Sequence, residues 1–205
     1  MFAVVEGIEG SGKSTLIAGL IQRLRAEGYD VLATREPGGT AAGDAIRRVF
    51  LDRSVAVAPL AEAFLVNAAR AQHIEEVIRP ALASGRVVLC DRFVDSTLAY
   101  QGYGRGLDLG VLRRMCDLAV GDVRSSLVVV LDLPWQTARV RLRERGGAAD
   151  RLESEDDAFH ERVRAGFLEL AREPQHVVLD ALLTAEELLE RAWTALRSRM
   201  NAPVS

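Results

Sequence analysis

Residues 7–15 hold the clearest chemistry in the chain: Gly7, Ile8, Glu9, Gly10, Ser11, Gly12, Lys13, Ser14 and Thr15. Glycines at this spacing let a backbone wind tightly and turn several N–H groups inward, where they cradle an anion. A lysine directly after the last glycine reaches terminal phosphates. The hydroxyl that follows it, on Ser14, is a ligand type for Mg²⁺. An apolar run at 2–5 precedes the loop and a helical pattern follows it at once. The positive end of that helix faces the same anion. The stretch predicts a site for the phosphates of a nucleotide.

Other candidates depend more on their surroundings. Asp91 follows an apolar run at 86–90, the place of a second acid that supports Mg²⁺ in phosphoryl transfer. A strand-end Asp is also a common turn residue. Arg92 has the planar fork that grips a phosphate through two bonds, or it closes a structural ion pair. Arginines between 139 and 151 flank a Gly/Ala break at 146–150. Such a pattern suits a lid that closes on phosphates and expels water, or a solvated helix face. Helical spacing brings Val66, Asn67, Arg70 and His73 near one face. It leaves Arg70 open between a base-reading role and an ordinary exposed arginine, and His73 reads as a spectator. Tyr100 and Gln101 lie in a Gly-bounded segment, and spacing assigns them nothing.

Strands and helices must bring these groups together. Strands are expected at 2–6, 30–34, 86–90, 126–131 and 176–179, with helical patterns between them. One long helix runs from about Pro59 to about Ala83, with Pro80 kinking or splitting its last turn. Strands that are apolar throughout are buried on both faces, which indicates a parallel sheet covered by helices, an α/β fold. Ligands of such sheets bind beyond the carboxyl ends of the strands. That gathers 7–14, 35–39, 91–92 and Asp132 along one crevice.

With 205 residues, 49% of them hydrophobic, and a net charge of −3, the chain suits a single domain, 1–205. Mild acidity gives no polyanion-binding signature, so nucleic acid is not an expected partner. Cys90 and Cys116 sit in apolar segments and read as buried spectators. No apolar run approaches membrane-spanning length. A strand from residue 2 leaves no room for a signal peptide, so a cytoplasmic enzyme is expected. The last few residues are expected to fray.

EGIEGSGKST at 6–15, TREPGGT at 34–40, DRFVDSTLAYQGYGRG at 91–106, ADRLE at 149–153 and VVLDA at 177–181 make the chain resemble the bacterial thymidylate kinases. TREPGG and DRF…S-T-x-A-Y-Q-G are far more specific than the phosphate loop, which many enzymes share. The resemblance implies a P-loop NTPase-type three-layer fold, with a five-stranded parallel sheet and a short arginine-rich lid at about 141–153. It implies transfer of the γ-phosphoryl group of ATP to dTMP, giving dTDP and ADP for dTTP synthesis. Mg²⁺ would be the cofactor, held by Ser14 and Asp91, and the protein a homodimer with no membrane attachment.

By the same resemblance, residues 7–15 bind ATP. Glu9 lies near the acceptor's sugar and the metal, and Pro37 borders the thymine pocket. Arg47 and Arg92 hold the acceptor phosphate. Arg70 and Gln101 hydrogen-bond the base, with Ser96 and Thr97 beside it, and Tyr100 packs on the sugar and disfavours a 2′-hydroxyl. The lid arginines, Arg145 and Arg151 among them, embrace the transferring phosphate and join Lys13, Glu9 and Arg92 as the catalytic set. Gly10 stands where one branch of the family carries an arginine, so the charge is expected from the lid. Val66 departs from the family, which often has a phenylalanine there, stacked on thymine. A GTP-dependent switch would carry N-K-x-D after an apolar strand, and this sequence has none.

Overall fold

The computed structural model describes residues 1–146 and 149–201. Its strands are β1 (Phe2–Glu6), β2 (Val31–Arg35), β3 (Val87–Asp91), β4 (Leu127–Asp132) and β5 (His176–Asp180). They form one sheet in the order β2-β3-β1-β4-β5, and every neighbouring pair is parallel. All of β1, and all but the last residue of β3 and β4, are buried. Successive side chains of a strand point to opposite faces, so helices cover both. This is the physical reason the strands read as unbroken apolar runs. The edge strands β2 and β5 bury less.

β3 and β4 run one residue past the expected ends, because Asp91 and Asp132 still pair, with Arg35 and Asp180. The register sets Val5 beside Asp91. The loop after β1 and the Asp91–Arg92 turn after β3 therefore leave the sheet side by side.

The helices are α1 (Lys13–Ala26), α2 (Ala41–Leu51), α3 (Pro59–His73), α4 (Arg79–Ala83), α5 (Val94–Thr97), α6 (Leu109–Val120), α7 (Trp135–Arg145), α8 (Asp157–Leu170) and α9 (Ala185–Met200). Thr184 opens α9 with a reciprocal capping box to Glu187. Pro59 sits in the first turn of α3, where its missing N–H costs nothing.

The long helix does not break at Pro80. A π-helical stretch, Ile74–Ile78, joins α3 to α4, and Pro80 lies in the first turn of α4. Proline cannot donate to the carbonyl four residues back and crowds it; the wider π turn upstream absorbs both effects. A second π stretch, Leu98–Gly104, continues α5 and packs against α8.

Gly147 and Ala148 of the expected lid lie outside the described residues, as do 202–205, where fraying was expected. Among the described residues no helix is long and apolar enough to cross a membrane.

Candidate active site

Gly7 leaves β1 at φ +133, and a Cβ there would lie 2.6 Å from the Leu131 carbonyl oxygen. Only glycine fits so close to the neighbouring strand. The loop then delivers Lys13 at the start of α1. Its Nζ donates to the carbonyls of Gly7 and Ile8, at 3.0 and 2.9 Å. Burial, with Arg92 nearby, pulls this ammonium down to about 8.

Arg92 is the one non-glycine residue among those described with positive φ, at 71°. Such a backbone costs on the order of 1–3 kcal/mol and persists only where its surroundings hold it. Glu6, fully buried at the end of β1, supplies the hold. Its Oε1 accepts from the Phe93 and Ser96 amides, and its Oε2 from the Ser96 hydroxyl at 2.6 Å. Burial first, then the charge of Asp95, pushes Glu6 up to about 7.

The strained turn aims the Arg92 guanidinium across the loop. Nη1 donates to the Gly7 carbonyl and Ser96 Oγ, and Nη2 to Glu9 Oε1 at 2.8 Å. The Tyr100 hydroxyl donates to the other oxygen of Glu9 at 2.5 Å. Burial would raise Glu9, but Arg92 and Lys13 outweigh it and hold the carboxyl below its ordinary range.

Away from the loop, Arg70 is 2% exposed, which excludes the ordinary surface arginine. All five of its N–H groups have protein acceptors. Nε donates to Glu36 Oε2, Nη1 to Asn67 Oδ1 and Cys116 Sγ, and Nη2 to the Phe93 carbonyl and Thr97 Oγ1. His73 is no spectator. Its Nδ1 donates to Glu36 Oε1 at 3.0 Å, and Nε2 meets Thr34 Oγ1 at 2.6 Å. It thus ties β2 and the REPG turn to α3. Cys116, read as a spectator, accepts from Arg70 at 3.5 Å; Cys90 is buried.

A cavity of about 550 Å³ joins the two regions. Its lining combines Glu9, Gly10, Gly12, Lys13, Ser14 and Thr15 of the loop and the start of α1 with Pro37, Arg47, Val66, Arg70, Asp91, Arg92, Ser96, Thr97, Tyr100 and Gln101. The Tyr100–Glu9 and Ser96–Arg92 bonds join the two sets. Asp91 Oδ1 is buried without a hydrogen-bond partner among the described residues. A carboxylate oxygen and the Ser14 hydroxyl on one wall are hard donors that fit Mg²⁺, which takes few protein ligands and shares the rest with phosphate and water.

A family model described as thymidylate kinase matches residues 5–192. The chain belongs to the thymidylate kinase family. A thymidylate kinase of Deinococcus radiodurans is 49% identical over 201 residues, covering 97% of each chain. One from Cereibacter sphaeroides is 52% identical over 202 residues, covering 95% of this chain and 93% of its own. The crystal structure of thymidylate kinase from Ehrlichia chaffeensis superposes with a TM-score of 0.75 at 31% identity, covering 96% of this chain and 98% of that one.

Within this thymidylate kinase fold, most residues singled out from sequence share the cavity. Gly7, Ile8 and Ser11 shape the loop from behind it. Arg145 lines the cavity and pairs with Glu153. Arg151 does not line it: the guanidinium pairs with Glu62 and donates to the Phe50 carbonyl. A buried carboxylate demands a cation, and Glu62 holds Arg151 out of the cavity.

The sequence assigned no role to Glu6, Glu36 or Glu62, whereas Arg35 fell in the expected crevice stretch 35–39 and Arg141 among the arginines of the expected lid. Arg35 and Arg141 line the cavity, and Arg141 donates to the Ala181 carbonyl at 3.0 Å and to that of Gly10 at 3.5 Å. For Glu6 the available signal was an acid closing an otherwise apolar strand. For Glu62 the signal was its place four residues before Val66 and eight before Arg70, on the same helical stripe.

Proposed function

We propose that the cavity carries ATP and dTMP tail to tail, and that the chain transfers the γ-phosphoryl group of ATP to dTMP, giving dTDP and ADP. The observation that carries this reading is two cationic stations in one cavity. Lys13 and the loop amides form the first. Arg47 and Arg92 form the second, with Arg35 beside them. Arg47 is lowered by burial first, and then by its neighbours Arg35 and Arg92. Cations that crowd one another favour an anion between them.

Phosphoryl transfer asks little covalent chemistry of a protein; positioning and charge stabilisation supply the catalysis. Lys13 and the loop hold the ATP phosphates. Arg92, oriented by Glu9 and Ser96, and Arg47, oriented by the Pro37 carbonyl, hold the dTMP phosphate. Tyr100 backs the sugar and disfavours a 2′-hydroxyl, while Val66, Pro37, Arg70 and Gln101 enclose the base. The lid, 141–153, brings Arg141 and Arg145 over the phosphates, and Arg151 anchors its C-terminal root. Ser14 and Asp91 would hold Mg²⁺, which would neutralise phosphate charge there.

On this reading the chain acts as a single domain in the cytoplasm and as a homodimer. A turnover panel across dTMP, dUMP, UMP, CMP and thymidine tests the assignment. dTMP is expected to give the highest kcat/KM, and any acceptor that exceeds it overturns the reading.

A further inference from the structure

Glu62 lies on α3, fully buried, behind the cavity wall. Four donors converge on it. Gln101 Nε2 donates to Oε2 at 2.9 Å, Arg105 Nε to Oε2 at 3.3 Å, and Arg105 Nη2 to Oε1 at 3.0 Å. Arg151 Nη1 donates closely to Oε1. Both carboxylate oxygens therefore act as acceptors, and Gln101 can only present its NH₂ end to them.

That fixes the other end of the amide. Gln101 is 1% exposed and lines the cavity. Its Oε1 has no donor among the described residues, so it is an uncommitted acceptor on the wall. Arg70 beside it already directs every N–H at a protein acceptor. Of these two side chains, the amide and not the guanidinium has a bonding atom left to discriminate between bases.

We propose that Glu62 is a specificity-positioning residue: by holding the Gln101 amide with Oε1 toward the base, it makes the socket select a pyrimidine whose N3 carries a hydrogen. Thymine offers N3–H to that oxygen. Cytosine offers a lone pair there, and two acceptors face to face leave a buried polar group unpaired. This rests on dTMP being the acceptor substrate.

The test is a set of kcat/KM values for dTMP and dCMP. In Glu62→Gln the two arginines claim the single remaining acceptor oxygen, and the new NH₂ turns the Gln101 amide over. The preference for dTMP over dCMP is expected to fall at least about tenfold, through a higher KM for dTMP and increased use of dCMP, with KM for ATP held. Arg151→Met is the control: it loosens the lid root but spares the amide, so it should retain the preference. A Glu62→Gln enzyme that keeps the preference overturns the inference. A wild-type enzyme that does not use dTMP overturns the substrate assignment instead.

Should Glu62→Gln fail to fold, Glu62→Asp withdraws the carboxylate by one methylene and is expected to give the same fall. Crystals of the wild type with dTMP give a further check. They should show Gln101 Nε2 still on Glu62 and Oε1 against N3; an amide turned the other way overturns the inference.

Discussion

Lys13 and Glu6 titrate near neutrality for the same first cause, burial, and with opposite consequences. Lys13 sits at about 8, so the free protein loses its ammonium as pH rises from 7 to 9. ATP phosphates favour the charged form, so ATP affinity should fall as pH rises through about 8, as a fluorescent ATP analogue would report. Lys13→Ala should flatten that limb and cut kcat by about 10²–10³; unaltered turnover contradicts the role. Glu6 moves the other way, from its ordinary 4.5 to about 7. Below 4.5 both folded and unfolded chains hold the proton. Between 4.5 and 7 the unfolded chain releases it first, so stability falls as pH rises, by on the order of 3 kcal/mol. Glu6→Gln has no such titration. Its stability relative to wild type should therefore improve by about that much between pH 5 and 7.5 in urea unfolding, and a constant difference rejects the assigned titration. Lys13, Asp91 and Arg92 were legible in the sequence because their meaning lies in adjacent residues. Glu6 and His73 were not, since their partners Phe93 and Glu36 lie 87 and 37 residues away.

At the scale of elements, the apolar strands and the helices between them were legible from pattern, but the π stretches were not. A π turn adds a residue to the helical repeat, and over the few residues of Leu98–Gly104 no period can declare itself. Only its glycines hinted at close packing. That stretch carries Tyr100 and Gln101 and lies on α8, where Gly166 leaves room for a ring. A Cβ on Gly166 would come within 2.6 Å of Tyr103 Cγ and Cδ2. Gly166→Ala should cost about 1–3 kcal/mol by overpacking, read in urea unfolding. The displaced stretch should also raise KM for dTMP while leaving KM for ATP in place. A destabilised enzyme with unchanged KM for dTMP would show that α8 does not position these residues.

On the whole molecule, α3 faces two ways. Its inner stripe bears Glu62, Val66 and Arg70. Its outer side bears Leu60 and Phe64, one turn apart and 49% and 59% exposed. The neighbouring α6, packed against α3, exposes Val111 and Leu118, two turns apart, the latter 87% exposed. One exposed leucine is ordinary, but apolar side chains gathered on adjacent helices mark an interaction surface. A second copy of the chain docked there would bury them and stiffen the helix that forms the base socket. Wild-type protein should therefore sediment at twice the chain mass. Phe64→Glu with Leu118→Glu places like charges in the contact and should halve that mass. If the dimer stiffens α3, the monomeric variant should also show a raised KM for dTMP, with KM for ATP unchanged because the phosphate loop lies on β1 and α1. A wild type that sediments as a monomer at micromolar concentration would exclude the surface as a dimer contact. A monomeric variant with unaltered KM for dTMP would separate assembly from the socket.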